Sequence, residues 1–103
     1  MIGWAAAWLV TITLEVPLVA ACAPRGMRRC SALDALLANS FTHPLAWIAV
    51  AHHPGAWLPV EGAVVVAEAL AYGFVTRMPW RRAACAAALA NGTTAALSLL
   101  WWH

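Results

Sequence analysis

The sequence predicts an all-α integral membrane protein: a four-transmembrane-helix bundle made of two tandem helical hairpins that form a parallel internal repeat. Three observations carry this reading. Of 103 residues, 64% are hydrophobic and 10% charged, whereas soluble domains carry about 25% charged residues. Four apolar runs, at about 2–24, 31–51, 56–76 and 83–102, are each about 20 residues long, enough at about 1.5 Å per residue to cross about 30 Å of hydrocarbon. Polar and charged positions of the first half also recur in the second at a nearly constant offset.

The elements follow in order along a single membrane domain, 1–103. Helix one is apolar except where Glu15 and Pro17 interrupt it. The break Ala23-Pro24-Arg25-Gly26-Met27-Arg28-Arg29-Cys30 ends it. Ser31 followed by Asp34 reads as a cap for helix two, with Asp34 near the positive end of the helix dipole. Helix two holds Asn39-Ser40-Phe41-Thr42-His43-Pro44 in its middle and stops at His52-His53-Pro54-Gly55. Helix three carries Glu61, Glu68 and Tyr72. The charged break from Thr76 to Arg82 leads into helix four, with Asn91, Thr94 and Ser98. Each break is short and holds Pro, Gly or clustered charge, so neighbouring helices must run antiparallel.

Orientation follows from arginine. All six basic residues are Arg, with Arg25, Arg28 and Arg29 in the first break and Arg77, Arg81 and Arg82 in the third. The positive-inside rule places both in the cytoplasm, and both termini and the His-His-Pro-Gly turn outside. Trp4, Trp8, Trp47, Trp57, Trp101 and Trp102 then form an interfacial belt on the outer side. Heavy Ala and Arg use without Lys points to a bacterial genome, hence to the bacterial inner membrane. A net charge of +2 is too small to indicate nucleic acid as a partner. Val19-Ala20-Ala21-Cys22 is similar to a lipoprotein cleavage box. However, nothing basic precedes Arg25 and the apolar core is interrupted, which favours a retained helix. Cys22, Cys30 and Cys85 form no C-x-x-C pair and read as small apolar residues.

The repeat shows most plainly in Leu37-Ala38-Asn39-Ser40-Phe41-Thr42 and Leu89-Ala90-Asn91-Gly92-Thr93-Thr94. Asn39 matches Asn91, Thr42 matches Thr94 and Arg25 matches Arg77 at an offset of 52. Arg28 with Arg81, Arg29 with Arg82 and Glu15 with Glu68 are offset by 53. Halves of one orientation imply a pseudo-twofold along the membrane normal, as in parallel transporter repeats.

Depth gives the repeated residues meaning. Glu15, Asn39, Glu68 and Asn91 each lie nine or ten residues from an Arg cluster, about 13–15 Å into the bilayer at about 1.5 Å per residue. An ionised carboxylate near the midplane costs at least about 3 kcal/mol on insertion scales, so these groups are expected to face one another. His43 follows Asn39 by four residues and shares its face with Thr42 beside it. Pro44 and Pro17 free the carbonyls of Ser40 and Thr13. The expected ion-binding residues are therefore Glu15, Asn39, Thr42, His43, Glu68 and Asn91, and if a metal cation is the cofactor, Glu15, His43 and Glu68 are the candidate ligands. The second hairpin has Ala95 and Leu70 where the first has His43 and Pro17, so the site is asymmetric.

Other polar residues are less directed. Glu61 is either a carboxylate at the mouth of a path or a solvated helix end. His52, His53 and His103 share the outer side, where a metal or an ordinary turn accounts for them. Ser98 and Tyr72 are expected to extend the polar stripe outward. In size, helix count and Glu15 in the first helix, the chain resembles the small multidrug resistance transporters. The two Arg breaks of one orientation, the Asn39–Pro44 segment and the Glu68/Asn91 pair depart from that pattern, and no substrate or residue role is carried over.

No nucleophile elbow, H-E-x-x-H or phosphate loop is present, which argues against a hydrolase or nucleotide enzyme and leaves an intramembrane enzyme built on Glu and His as the enzymatic alternative. The expected function is binding or transport of a proton, cation or metal ion. The alternative is a non-catalytic membrane subunit or anchor, its polar cluster serving as interhelical glue. The expected partners are the lipid bilayer and either further copies in a homo-oligomer or a larger membrane protein. Single cysteines at 25–30 and 77–82 should react only with reagents on the cytoplasmic face, and cysteines at either terminus only from outside; termini labelled from the cytoplasm would reverse the orientation.

Overall fold

Ala- and Leu-rich runs favour helix wherever Gly and Pro do not gather, and the structure, a computed structural model, describes residues 3–101 with side chains through Leu99. Trp102 and His103, and the side chain of Trp101, for which an outer-side position is expected, lie outside the described residues. The helices are α1 (Trp4–Cys22), α2 (Arg28–His52), α3 (Trp57–Phe74) and α4 (Trp80–Trp101). Short 3-10 turns at Arg25–Met27 and Pro54–Ala56 join α1 to α2 and α2 to α3, and no strand occurs among the described residues.

The expected boundaries move most at the starts of α2 and α4, each three residues earlier than expected. The turn at Arg25–Met27 runs directly into helix, and Met27 occupies the N-cap position with no side-chain cap bond. Ser31 is therefore not a cap. It lies a turn inside the helix, fully buried, as does nearly all of Asp34. Their spacing puts both on the face that meets the other helices. Helices α1 and α2 continue through Pro17 and Pro44, and Pro17 is exposed, so the carbonyl it frees is not part of a buried site.

Each helix packs along the next in sequence, and α4 closes back on α1. The described chain measures 39 × 21 × 19 Å, so its long dimension is set by the helices. In α4 the buried positions are Ala83, Ala86, Ala87, Ala90, Asn91 and Thr94, a stripe of helical spacing. Small side chains let the neighbouring backbones approach closely.

Burial is inverted relative to a water-soluble bundle. Glu15, Ser31, Asp34, Asn39, Glu68, Asn91 and Thr94 are buried, while Leu33, Leu37, Phe41, Leu45 and Ile48 on α2 are 55–71% exposed. These five form a continuous outward stripe. Leu9, Leu58, Val66 and Leu89 are exposed on the other helices, and large contiguous apolar surfaces like that of α2 mark an interaction with membrane or protein. Two segments, α1 and the run Pro54–Phe74, are long and apolar enough to cross a membrane. Helices α2 and α4 are long enough, but the polar residues they turn inward dilute their apolar character.

The two ends of the bundle differ. Beside the Arg turns, Val19, Ala23, Ala35, Tyr72, Met78 and Ala83 pack into an apolar core. The turn between α3 and α4 folds beneath it, with Met78 N–H donating to the Tyr72 carbonyl at 3.1 Å and Met78 only 2% exposed. Arg77 makes this reversal with φ of 56°. Gly73 permits the return of the chain, because a Cβ there would collide with the Trp80 ring. Arg82 Nη1 donates to the carbonyl of Cys22 at 3.3 Å, placing a cation at the C-terminus of α1.

Candidate functional site

The opposite end opens into a cavity of about 600 Å³. Its walls are mostly apolar and include Ala46, Val50, Trp57 and Leu99, while Glu15, Asn39, Asn91 and Thr94 form its floor. Glu61 and His43 stand in the walls. Of the residues expected at one depth, Glu15, Asn39 and Asn91 thus meet at the bottom of a single opening, and Glu68 lies behind it, bonded to Asn91 and Thr42.

The floor is built from i−4 bonds and carboxyl bonds together. Asn39 Nδ2 donates to the carbonyl of Ala35 at 2.7 Å, and Asn91 Nδ2 donates to that of Ala87 at 2.9 Å. Each anchor fixes the amide on its helix and leaves its second hydrogen for a partner across the bundle. That of Asn91 goes to Glu68 Oε1. Asn39 lies beside Glu15 and the Tyr72 hydroxyl.

The threonines tie the two hairpins together reciprocally. Thr42 Oγ1 on α2 donates to Glu68 Oε2 on α3 at 2.9 Å, and Thr94 Oγ1 on α4 donates to Glu15 Oε2 on α1 at 2.6 Å. Each hairpin therefore supplies the hydroxyl that holds the other's carboxyl. The arrangement is unequal in one respect. Both oxygens of Glu68 accept hydrogen bonds, whereas Glu15 Oε1 is buried without a hydrogen-bond partner among the described residues. Glu15, Glu68 and Glu61 are close enough to repel one another when charged.

His43 departs from the expected cluster. Its ring lies between Trp4 and Trp47, at centroid distances of 6.1 and 6.0 Å, and Trp4 stacks on Trp8 at 6.2 Å. Trp8 Nε1 in turn donates to Ser40 Oγ at 3.2 Å. His43 thus lines the wall above the floor, with its buried Nδ1 lacking a hydrogen-bond partner among the described residues. Among the described residues, no three His, Cys, Asp or Glu side chains gather as a metal ion would require, so Glu15, His43 and Glu68 do not form the three-ligand set named above. His52 Nδ1 is 2.9 Å from the carbonyl of Ile48, and His53 is exposed, as in an ordinary helix end and turn.

Helix α3 runs from the open end toward the Arg turns, so Tyr72, four residues after Glu68, lies on the Arg-turn side. The expectation that Tyr72 extends the stripe outward is therefore corrected, while Ser98 does line the cavity. Glu61 belongs to the cavity wall rather than to a solvated helix end. Thr94 and Thr11 are site residues absent from the expected set. The match of Thr94 to Thr42 could have found the first, and the position of Thr11 four residues before Glu15 the second. Compared with known proteins, the chain matches no family model, no curated protein and no solved structure.

The Thr94 bond separates a held carboxyl from general packing. Thr94→Val should lower unfolding stability by the order of 1 kcal/mol expected for an interhelical hydrogen bond. Thr93→Val, which removes only a bond to its own helix at Leu89, should change it by less than half as much in the same denaturation experiment.

Proposed function

We propose that the chain is a bacterial inner-membrane protein in which all four helices cross the bilayer, and that its buried carboxyl pair binds a proton or small cation delivered through the cavity. The observation that carries the reading is the buried, unpartnered Oε1 of Glu15 on the cavity floor. A buried polar atom without a partner is rare in a finished core and calls for a proton, ion or water. Intramembrane ionisable residues are functional candidates by default.

The membrane reading is supported by the inverted burial. Helices α2 and α4 hide their Asn and Thr residues against α1 and α3 and turn Leu and Phe outward, so the bundle as a whole presents an apolar surface. Arg25, Arg28 and Arg29 lie at the same end as Arg77, Arg81 and Arg82, which favours a cytoplasmic position for that end and an outer position for the cavity and both termini. Lipid covers the outward faces. Further copies or a larger membrane partner pack on part of them, since four short helices bury little against one another.

Duplication of the hairpin is supported by the exchanged bonds Thr42 to Glu68 and Thr94 to Glu15 and by the matching anchors of Asn39 and Asn91. In this account Glu68 is the held carboxyl, fixed by two donors, and Glu15 is the loading carboxyl. A proton on Glu15 bonds its free oxygen and removes like-charge repulsion from Glu68. A cation there would use the same oxygen with the amide oxygen of Asn39 as a neighbour. Cavity water supplies either.

A second reading, interhelical glue, is favoured by the many bonds already made within the cluster. Glu15→Gln separates the two, because a neutral amide can accept the Thr94 bond yet carries no exchangeable charge. In lipid, infrared difference spectra should show a carboxyl of the wild type responding to pH or to an added cation, and Glu15→Gln should abolish that response with helicity and thermal stability retained. Both Glu titrating as free carboxyls near pH 4 would show them to be water-exposed and sink the site, while the absence of any response would leave the glue reading.

A further inference from the structure

Below the cavity floor, three more polar side chains are buried with an unpartnered atom. Ser31 is 0% exposed, Asp34 7% and Tyr72 0%, and Ser31 Oγ, Asp34 Oδ2 and the Tyr72 hydroxyl lack hydrogen-bond partners among the described residues. Neither the glue reading nor the carboxyl pair uses them. They lie where an apolar seal between the cavity and the Arg turns would be expected to be wholly apolar.

Their heights form a ladder. Tyr72 is four residues from Glu68 and Asp34 five from Asn39, which sets both about 6–7.5 Å nearer the Arg turns at about 1.5 Å per residue. Ser31 and Thr76 are each eight residues away, about 12 Å. The Tyr72 hydroxyl lies beside Asn39 and within electrostatic range of Glu68, Glu15 and Asp34, and Thr76 lies beside Asp34. One ring therefore stands between the carboxyls of the floor and the carboxyl beneath it.

We propose that Tyr72, Asp34 and Ser31 form an inner proton relay, bridged by ordered water, that connects the Glu15/Glu68 pair to the Arg-turn face. The proposal rests on the reading of that pair as a proton site. Buried water typically makes about three hydrogen bonds to buried groups that otherwise lack partners, and these three atoms, at successive heights, are groups for successive waters to bridge. In the relay step, a carboxylic acid at Glu15 or Glu68 gives its proton to water or to the Tyr72 oxygen. The Tyr72 O–H proton leaves on the other side toward the Asp34 carboxylate. One O–H bond forms as another breaks, Asp34 then releases its proton to water beside the Ser31 hydroxyl and so to the Arg-turn face, and the floor carboxylate takes its next proton from cavity water. The titratable groups facing the relay are Glu15 from α1, Asp34 from α2 and Glu68 from α3, while α4 contributes Asn91 and small Ala side chains.

The test uses the full chain in liposomes of one orientation, with pH steps applied to one face at a time and the floor carboxyl followed by time-resolved infrared absorption. Tyr72→Phe keeps the ring and removes the hydroxyl, and Asp34→Asn keeps the shape and removes the proton site. Both variants should slow the carboxyl response to a step at the Arg-turn face at least tenfold and leave the response to a step at the cavity face unchanged. Stability gives a second reading: loss of a water-bridged hydroxyl lowers it, whereas removal of a dry, unpartnered hydroxyl raises it. Wild-type response from both faces in both variants, or a Tyr72→Phe variant that is more stable, overturns the relay. A wild-type carboxyl that answers only the cavity face also overturns the relay and leaves the pair intact as a site, and one that answers neither face overturns both.

Discussion

The structure depends on two carboxyl groups that cannot be satisfied by their own helices. Glu15 and Glu68 are 1% and 0% exposed, and each takes a hydroxyl hydrogen bond from the other hairpin. Burying a carboxyl without such a donor costs more than a typical helix contact returns. The hairpins must therefore associate in the one register that brings Thr42 to Glu68 and Thr94 to Glu15. Small residues on α4 follow from the same demand, since Ala83, Ala86, Ala87 and Ala90 let that helix come close enough for the bonds to form.

Inverted burial is the second consequence. With much of the interior given to Glu, Asn, Thr, Asp and Tyr, most large apolar side chains outside the Val19–Met78 core face outward. A helix such as α2 looks too polar to span a membrane when it is averaged along its length, yet its Leu33, Leu37, Phe41, Leu45 and Ile48 stripe is continuous. The proposed insertion of all four helices is thus a property of the assembled bundle. The open cavity and the end packed around Met78 then give the two faces unequal access to the floor.

Much of this was legible in the sequence because it depends on spacing. Four helices follow from run length, and the grouping of Glu15, Asn39, Glu68 and Asn91 follows from equal distance to the Arg clusters. The capping assignment of Ser31 and Asp34 failed because a cap motif is local, whereas the 3-10 turn that starts α2 earlier is set by how the first break folds back. Tyr72 lies toward the Arg turns because α3 starts at the open end, so a step toward its C-terminus leads inward, whereas the same step on α4 leads outward to Ser98. His43 was legible as a neighbour of the floor by its i+4 spacing. Its capture by Trp4 and Trp47 depends on how α1 rotates against α2, which no spacing within one helix specifies.

The central claim is that α2 and α4 cross the bilayer by hiding their polar faces against α1 and α3, which carry the carboxyl pair. Spin labels at Leu37, Phe41 and Leu89, compared with one at Ser98 in the cavity wall, test it in lipid by collision with oxygen and with a water-soluble nickel chelate. The account predicts high oxygen and minimal nickel access at the three outward positions, with measurable nickel access at Ser98. Free nickel access at Leu37 and Leu89 would place those helices in water and contradict it.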